Sequence, residues 1–206
     1  LDRFAKEEIL PYLERLRDTI GPPTLYVSHD ITEVERLADH IVLMAEGRVT
    51  AVGPLAEAQA RPDLPLARMP EASVTLAAEV LAHDPGYDLT TLVVRGARLI
   101  APGRFGPPGS HRRLRITGAD VALAREPPGA SSILNSVPAR IVEGSPHGRG
   151  MVTVVLALGP DGAGARILAR ITRRSWDELG FGPGQPIFAQ IKGVALISLP
   201  HPDEEG

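Results

Sequence analysis

The sequence predicts an α/β segment followed by an all-β domain, a small β-barrel or sandwich. Three observations carry that reading. Residues 1–60 combine a long helical periodicity with short unbroken apolar runs, the pattern of buried strands in an open sheet. Beyond residue 72 the strands become short and alternating, each stopped by a Gly or Pro turn. The 21 Gly and 20 Pro among 206 residues supply enough breakers for that many elements.

In chain order, Phe4, Ile9, Leu10, Leu13, Leu16 and Ile20 recur at helical spacing over 3–20. Pro11 is expected to kink that helix or mark a late start, and Gly21-Pro22-Pro23 ends it. Thr24-Leu25-Tyr26-Val27-Ser28 reads as a buried strand, and His29-Asp30 follow at once. Ile31, Val34, Leu37 and Ala38 form the apolar face of a helix over 31–38. Residues 41–53 are a hairpin around Glu46-Gly47, and 54–60 a last short helix. Residues 61–72, with Pro62, Pro65 and Pro70, read as a linker. Strands are then expected at 74–82, 89–94, 97–101, 111–116 and 120–124. After a second linker, Glu126-Pro127-Pro128-Gly129, they resume at 137–144, 151–158, 165–171 and 186–199, with a helix at 172–180. Two units of barrel size result, 73–125 and 130–200.

Composition narrows the function classes. No cysteine is present, which removes disulfide frameworks and Cys-based metal sites. His83, Asp84 and His111 lack metal-ligand spacing, so no metal site is expected. Residues 1–60 hold 6 basic and 11 acidic side chains, net −5; residues 61–206 hold 16 and 14, net +2. Neither part carries the basic footprint of a nucleic-acid binder, and 4% aromatics leave few stacking platforms. Arg112, Arg113 and Arg115 read as a solvated strand face. No uncharged apolar run approaches the roughly 18 residues of a membrane span. The sequence opens at Leu1, without Met and in mid-pattern, and is read as part of a longer protein.

The run Leu25-Tyr26-Val27-Ser28-His29-Asp30, followed by Glu33-Val34, Leu37-Ala38-Asp39 and the Gly47-Arg48-Val49 turn, resembles the end of an ABC-transporter nucleotide-binding domain. The resemblance implies that His29 is the switch histidine that reaches the ATP γ-phosphate, where a donor on a rigid strand end meets developing charge. It implies that Asp2 ends the loop lying across the ATPase dimer interface. The chain has no GxxxxGK[ST] loop, no family signature and no apolar strand ending in Asp-Glu. It is therefore expected not to hydrolyse ATP by itself, ATP and Mg²⁺ belonging to the full-length protein.

Ser131-Ser132-Ile133-Leu134-Asn135-Ser136-Val137-Pro138 resembles the opening of a TOBE/Mop molybdate-binding barrel, which implies an OB-like all-β fold, and Phe188-Ala189-Gln190-Ile191-Lys192-Gly193-Val194 resembles its lysine-bearing last strand. Trp176-Asp177-Glu178-Leu179 and Pro183-Gly184 fit the same pattern, and 73–125 resembles the preceding TOBE-like segment. The residues agree with this. A tetrahedral dianion takes hydroxyls, amide N–H groups and one cation in a small concavity. Ser131 and Ser132 offer hydroxyls, and Lys192 is one of two lysines among 22 basic residues. The resemblance places the oxyanion contacts on Ser132, Ile133, Leu134, Lys192 and Gly193. Some family members carry Arg where this chain has Leu134, and Ser where it has Gly193. Together the two resemblances imply the regulatory part of the ATPase subunit of a molybdate or tungstate importer. The implied protein is a homodimer docked on a membrane permease at the cytoplasmic face of the plasma membrane. The residues leave open an importer for another solute, such as a sugar or polyamine, with the barrel as dimer scaffold, and an oxyanion-storage barrel.

Overall fold

The computed structural model describes residues 3–198. Helix α1 (Arg3–Thr19) runs through Pro11 without starting late. It ends where the Ile20 and Gly21 amides both donate to the Leu16 carbonyl, with Gly21 at φ +61. Helix α2 (Ile31–Leu37) follows, and the hairpin β1 (His40–Ala45) and β2 (Arg48–Pro54) turns at Glu46 and Gly47, both at positive φ. Helix α3 (Leu55–Gln59) closes this part.

Residues 24–28 are not a strand. A parallel strand is stable only between hydrogen-bonded neighbours, and none of the described strands flanks this run. Leu25 and Val27 are each 87% exposed. The α2 face is also corrected. Ile31, Val34 and Leu37 are only half-buried, whereas Glu33 and Glu35 are buried at 4% and 1% exposed. The helix meets its neighbours through a polar seam, so the charged stripe goes inside with its partners.

The segment 61–72 is docked. It holds a 3-10 turn at Pro65–Arg68, and Leu64, Ala67 and Ala72 are buried. The Arg170 guanidinium fastens it by donating to the carbonyls of Pro70 at 2.6 Å, Met69 at 2.8 Å and Ala67 at 3.3 Å.

Two five-stranded antiparallel sheets follow. The first contains β3 (Ser73–Asp84), β4 (Leu89–Val94), β5 (Ala97–Pro102) and β6 (His111–Thr117). The second contains β7 (Val121–Ala124), β8 (Asn135–His147), β9 (Met151–Leu158), β10 (Arg166–Thr172) and β11 (Pro186–Ile191). Helix α4 (Arg173–Glu178) joins β10 to β11. The expected long strand 186–199 breaks at Lys192. A 3-10 turn at Gly193–Ala195 carries the chain into the first sheet, where β12 (Ile197–Ser198) pairs with β6. In the opposite direction β7 leaves the first segment and pairs with β11 in the second sheet. The sheets thus interlock, and one contiguous apolar cluster spans both, including Val74, Leu92 and Leu114 from one and Leu156, Ile167 and Ile191 from the other. Each such fully buried side chain contributes about 1.5–3 kcal/mol.

A glycine contact pins the sheets together. The Arg95-Gly96 turn lies against Gly164, where an added Cβ would meet the Leu158 carbonyl at 2.4 Å. The Ala165 amide donates to the Arg95 carbonyl at 2.7 Å.

Candidate functional site

The two segments expected to hold the oxyanion come together at one end of the second sheet. The antiparallel register places Asn135, the first residue of β8, opposite Ile191, the last residue of β11. Ser132–Leu134 therefore lead into one strand where Lys192 and Gly193 leave its neighbour. Ser131, Ser132, Leu134 and Lys192 are exposed, and Ile133 and Gly193 half-buried. The Ile133 amide donates to Ser131 Oγ at 3.1 Å, which folds 131–133 into a tight turn. Among the described residues no carboxylate pairs with Lys192. Leu134, Val194 and Ile197 surround the lysine turn with exposed apolar surface.

Asn135, which sequence reasoning did not single out, holds this end in place. It is 3% exposed, accepts from the Ile100 amide at 2.6 Å and donates to the Ile100 carbonyl at 2.9 Å. β5 is an edge strand, and the amide side chain satisfies the backbone pair that the edge leaves open. Gly193 presses on the same residue, since a Cβ there would lie 2.9 Å from the Ile100 oxygen. The available signal was a polar residue opening the inward series Val137, Ala139, Ile141.

The lysine itself is corrected in one respect. Lys192 does not lie inside the expected strand 186–199 but caps the 3-10 turn, exposed where β11 ends. A cation, hydroxyls and turn amides are thus grouped at a strand end, a donor set suited to a small oxyanion.

His29 is elsewhere in the fold. It is exposed, directly before Asp30, whose carboxylate caps α2 by accepting from the Thr32 amide at 2.8 Å. The Asp30 amide donates to Ser28 Oγ, and the Ser28 and Tyr26 hydroxyls both donate to buried Glu33. This local network shapes the turn that presents His29. Asp2 lies outside the described residues.

The arginines of β6 are not a solvated face. Arg115 pairs with Glu35, Arg113 with Asp39 and the Ala38 carbonyl, and Arg112 is 5% exposed. Arg113 and Arg115 face α2 and its exit, whereas Arg112 alternates to the other face of β6, with Leu114 and Ile116, beside Gly106. Among the described residues no three His, Cys, Asp or Glu side chains converge as a metal site, and no helix is long and apolar enough to cross a membrane.

The fold defines an OB-like β domain of two interlocked sheets joined to a small α/β tail. Residues 131–197 match the TOBE domain family. The chain is 56% identical over 196 residues to the molybdenum import ATP-binding protein ModC of Rhodopseudomonas palustris strain BisB18, covering 95% of this chain and 51% of that protein. It is 49% identical to the protein of the same name from Rhodobacter capsulatus, again over 95% of this chain and 54% of the relative. It is thus a relative of the ATP-binding subunits of molybdenum importers, corresponds to their C-terminal part, and spans about half the length of the curated relatives it matches. A solved structure of the cytoplasmic molybdate-binding protein ModG, with molybdate bound, shares the fold at a TM-score of 0.53 and 20% identity, covering 61% of this chain and 95% of that one.

Proposed function

We propose that this chain is the regulatory part of a molybdate- or tungstate-importing ATPase subunit, and that it binds the oxyanion at Ser132, Ile133, Leu134, Lys192 and Gly193. The register Asn135↔Ile191 carries this reading, because it sets the serine turn beside the only described lysine of the barrel. The names of the relatives support the choice of anion. Lys192 supplies the charge, Ser132 a hydroxyl, and the remaining positions main-chain N–H groups. Leu134 and Gly193 bring no polar side chain, so selectivity rests on the lysine, the serine and the amides.

The exposed Leu134, Val194 and Ile197 favour a second copy of the chain as the other wall of the site, so that binding and dimerisation reinforce each other. In the full-length protein, oxyanion bound here acts as a feedback brake on ATP-driven uptake through a membrane permease at the cytoplasmic face. His29 is then the switch histidine and Asp2 part of the ATPase interface. The chain itself holds no phosphate loop, and no hydrolytic step is assigned to it.

The test is calorimetric titration with molybdate, tungstate, sulfate and phosphate, repeated with Lys192→Ala. Selective binding of molybdate and tungstate, weakened at least about tenfold by the substitution, is expected. Equal affinity for sulfate, or unchanged affinity in Lys192→Ala, overturns the assignment. A folded dimer that binds none of the four leaves the barrel as a dimerisation scaffold.

A further inference from the structure

Glu35 of α2 is 1% exposed and fully engaged. Its carboxylate accepts from Ser73 Oγ at 2.5 Å, Gln59 Nε2 at 2.8 Å and Arg115 Nε at 3.0 Å. Gln59 in turn accepts from the Thr75 amide at 2.8 Å, and Arg115 also reaches the Glu71 carbonyl at 3.3 Å. A cavity of about 80 Å³ lies beside the pair, walled by Ile31, Thr32, Leu66 and Met69. The residues before α2 form no ladder of their own; α2 is held by this cluster, by the Arg36–Glu14 pair at 2.6 Å, by Arg17 donating to the Arg36 carbonyl at 2.5 Å, and at its exit by Arg113. A buried carboxylate is stable only while its donors stay in place, which makes the position of α2 sensitive to Arg115.

Arg115 lies on β6, and the strand on its other side is β12, with Ile197 directly opposite Arg115. β12 begins five residues after Lys192. The connection is short and anchored: Gly193 rests on the Ile100 oxygen and Leu196 is 5% exposed in the core. A displacement of the lysine turn is transmitted to β12 and from there to the residue that holds Glu35.

We infer that the buried Glu35–Arg115 pair is a positioning element that couples the Lys192 turn to α2 and to His29 at its start. The inference rests on the reading of the Lys192 turn as the oxyanion site. It adds the route by which that site sets the placement of the switch histidine, through a hydrogen-bonded chain of packed elements. Neither residue touches the anion or the nucleotide.

Hydrogen exchange resolved to peptides tests the coupling in this chain. With molybdate added to the unsubstituted protein, exchange in 29–37 is expected to slow about threefold or more, together with that in 192–197. In the charge-neutral double variant Glu35→Gln/Arg115→Gln, molybdate affinity is expected to stay within about threefold while the response of 29–37 disappears. Arg115→Lys keeps the charge but not the reach to Glu71, and gives a partial response should the double variant fold poorly. A response of 29–37 that survives in the double variant, an undiminished response in Arg115→Lys, or protection of 192–197 without any change in 29–37 in the unsubstituted protein overturns the inference. Gly193→Ala separates it from the binding assignment, because the added Cβ displaces the turn from the Ile100 oxygen without ligand. If molybdate fails to bind, the sensing assignment falls. The coupling then stands if Gly193→Ala alters exchange in 29–37 only with the pair intact, and falls if it does not.

Discussion

Replacing Asn135 with Ala tests how the barrel ends are joined. Asn135 makes two hydrogen bonds to the backbone of one residue of β5, Ile100, at 2.6 Å and 2.9 Å, from a side chain 3% exposed. Each bond contributes a net of about 1 kcal/mol, and an orphaned buried backbone group costs about 1–3 kcal/mol. Truncation leaves both the Ile100 N–H and C=O without their partner, and relaxation that admits water recovers part of the loss. We expect a destabilisation of about 2–4 kcal/mol, the sum of two bonds with partial rehydration. Urea unfolding followed by far-UV dichroism reads it as a lower midpoint at unchanged slope. Asn135→Asp sharpens the test, since it keeps the acceptor for the Ile100 amide but turns an oxygen toward the Ile100 carbonyl. It is expected to be at least as destabilised near neutral pH and partly relieved in acid, where a protonated carboxyl donates again. A loss below about 0.5 kcal/mol in Asn135→Ala, the level of an ordinary surface substitution, refutes the bridging role.

Two further substitutions probe other joints. In Gly144→Ala the new Cβ would lie 2.4 Å from the Trp176 ring, so the ring must move; about 1–3 kcal/mol is expected, with a red-shifted emission from the single tryptophan, and unchanged emission and midpoint would contradict the contact. Burial first, then the charges of Arg170 and Arg68, hold the His147 imidazolium below the ordinary histidine range. The unfolded chain therefore binds that proton more readily, so stability is intact above a pH of about 6.5 and falls as pH drops below it. His147→Gln is expected to flatten this part of the stability–pH curve, and an identical curve in the variant would exclude the residue.

What was legible in the sequence follows locality. The 41–53 hairpin was readable because Glu46-Gly47 satisfies a turn with two positive φ values and the flanking runs pair with each other. β4, β5 and β9 were readable from alternation and breakers, and their boundaries lie within a residue of the expectation. The 24–28 run carries the same apolar signal as a buried strand, but strand formation depends on neighbours that a local pattern cannot supply. Partner exchange was invisible for the same reason: nothing in Val121–Ala124 states that it pairs with β11 rather than with its own segment. Among the candidate-site residues, the serine turn and Lys192 were singled out by resemblance, whereas Asn135 and Arg115 act through contacts 35 and 80 positions away.

The exchange of strands has a mechanical consequence for this architecture. Were each segment a closed barrel on a flexible tether, an anion at the Lys192 turn would change only its own barrel. Instead the turn is the crossover itself: the chain leaves the second sheet at Ile191 and joins the first at Ile197. The sheet it joins is the one whose β6 arginines meet α2 and the residues after it, through Glu35 and Asp39. The linker is fastened from the opposite side by Arg170 on β10, which leaves little slack between tail and barrel. Closely packed interiors do not absorb such shifts by compression, so movement at a crossover is passed on as displacement of whole elements. A lysine in mid-strand would lack this leverage, whereas Lys192 stands at the break between two sheets, where an anion bound as proposed would act on α2 through the crossover.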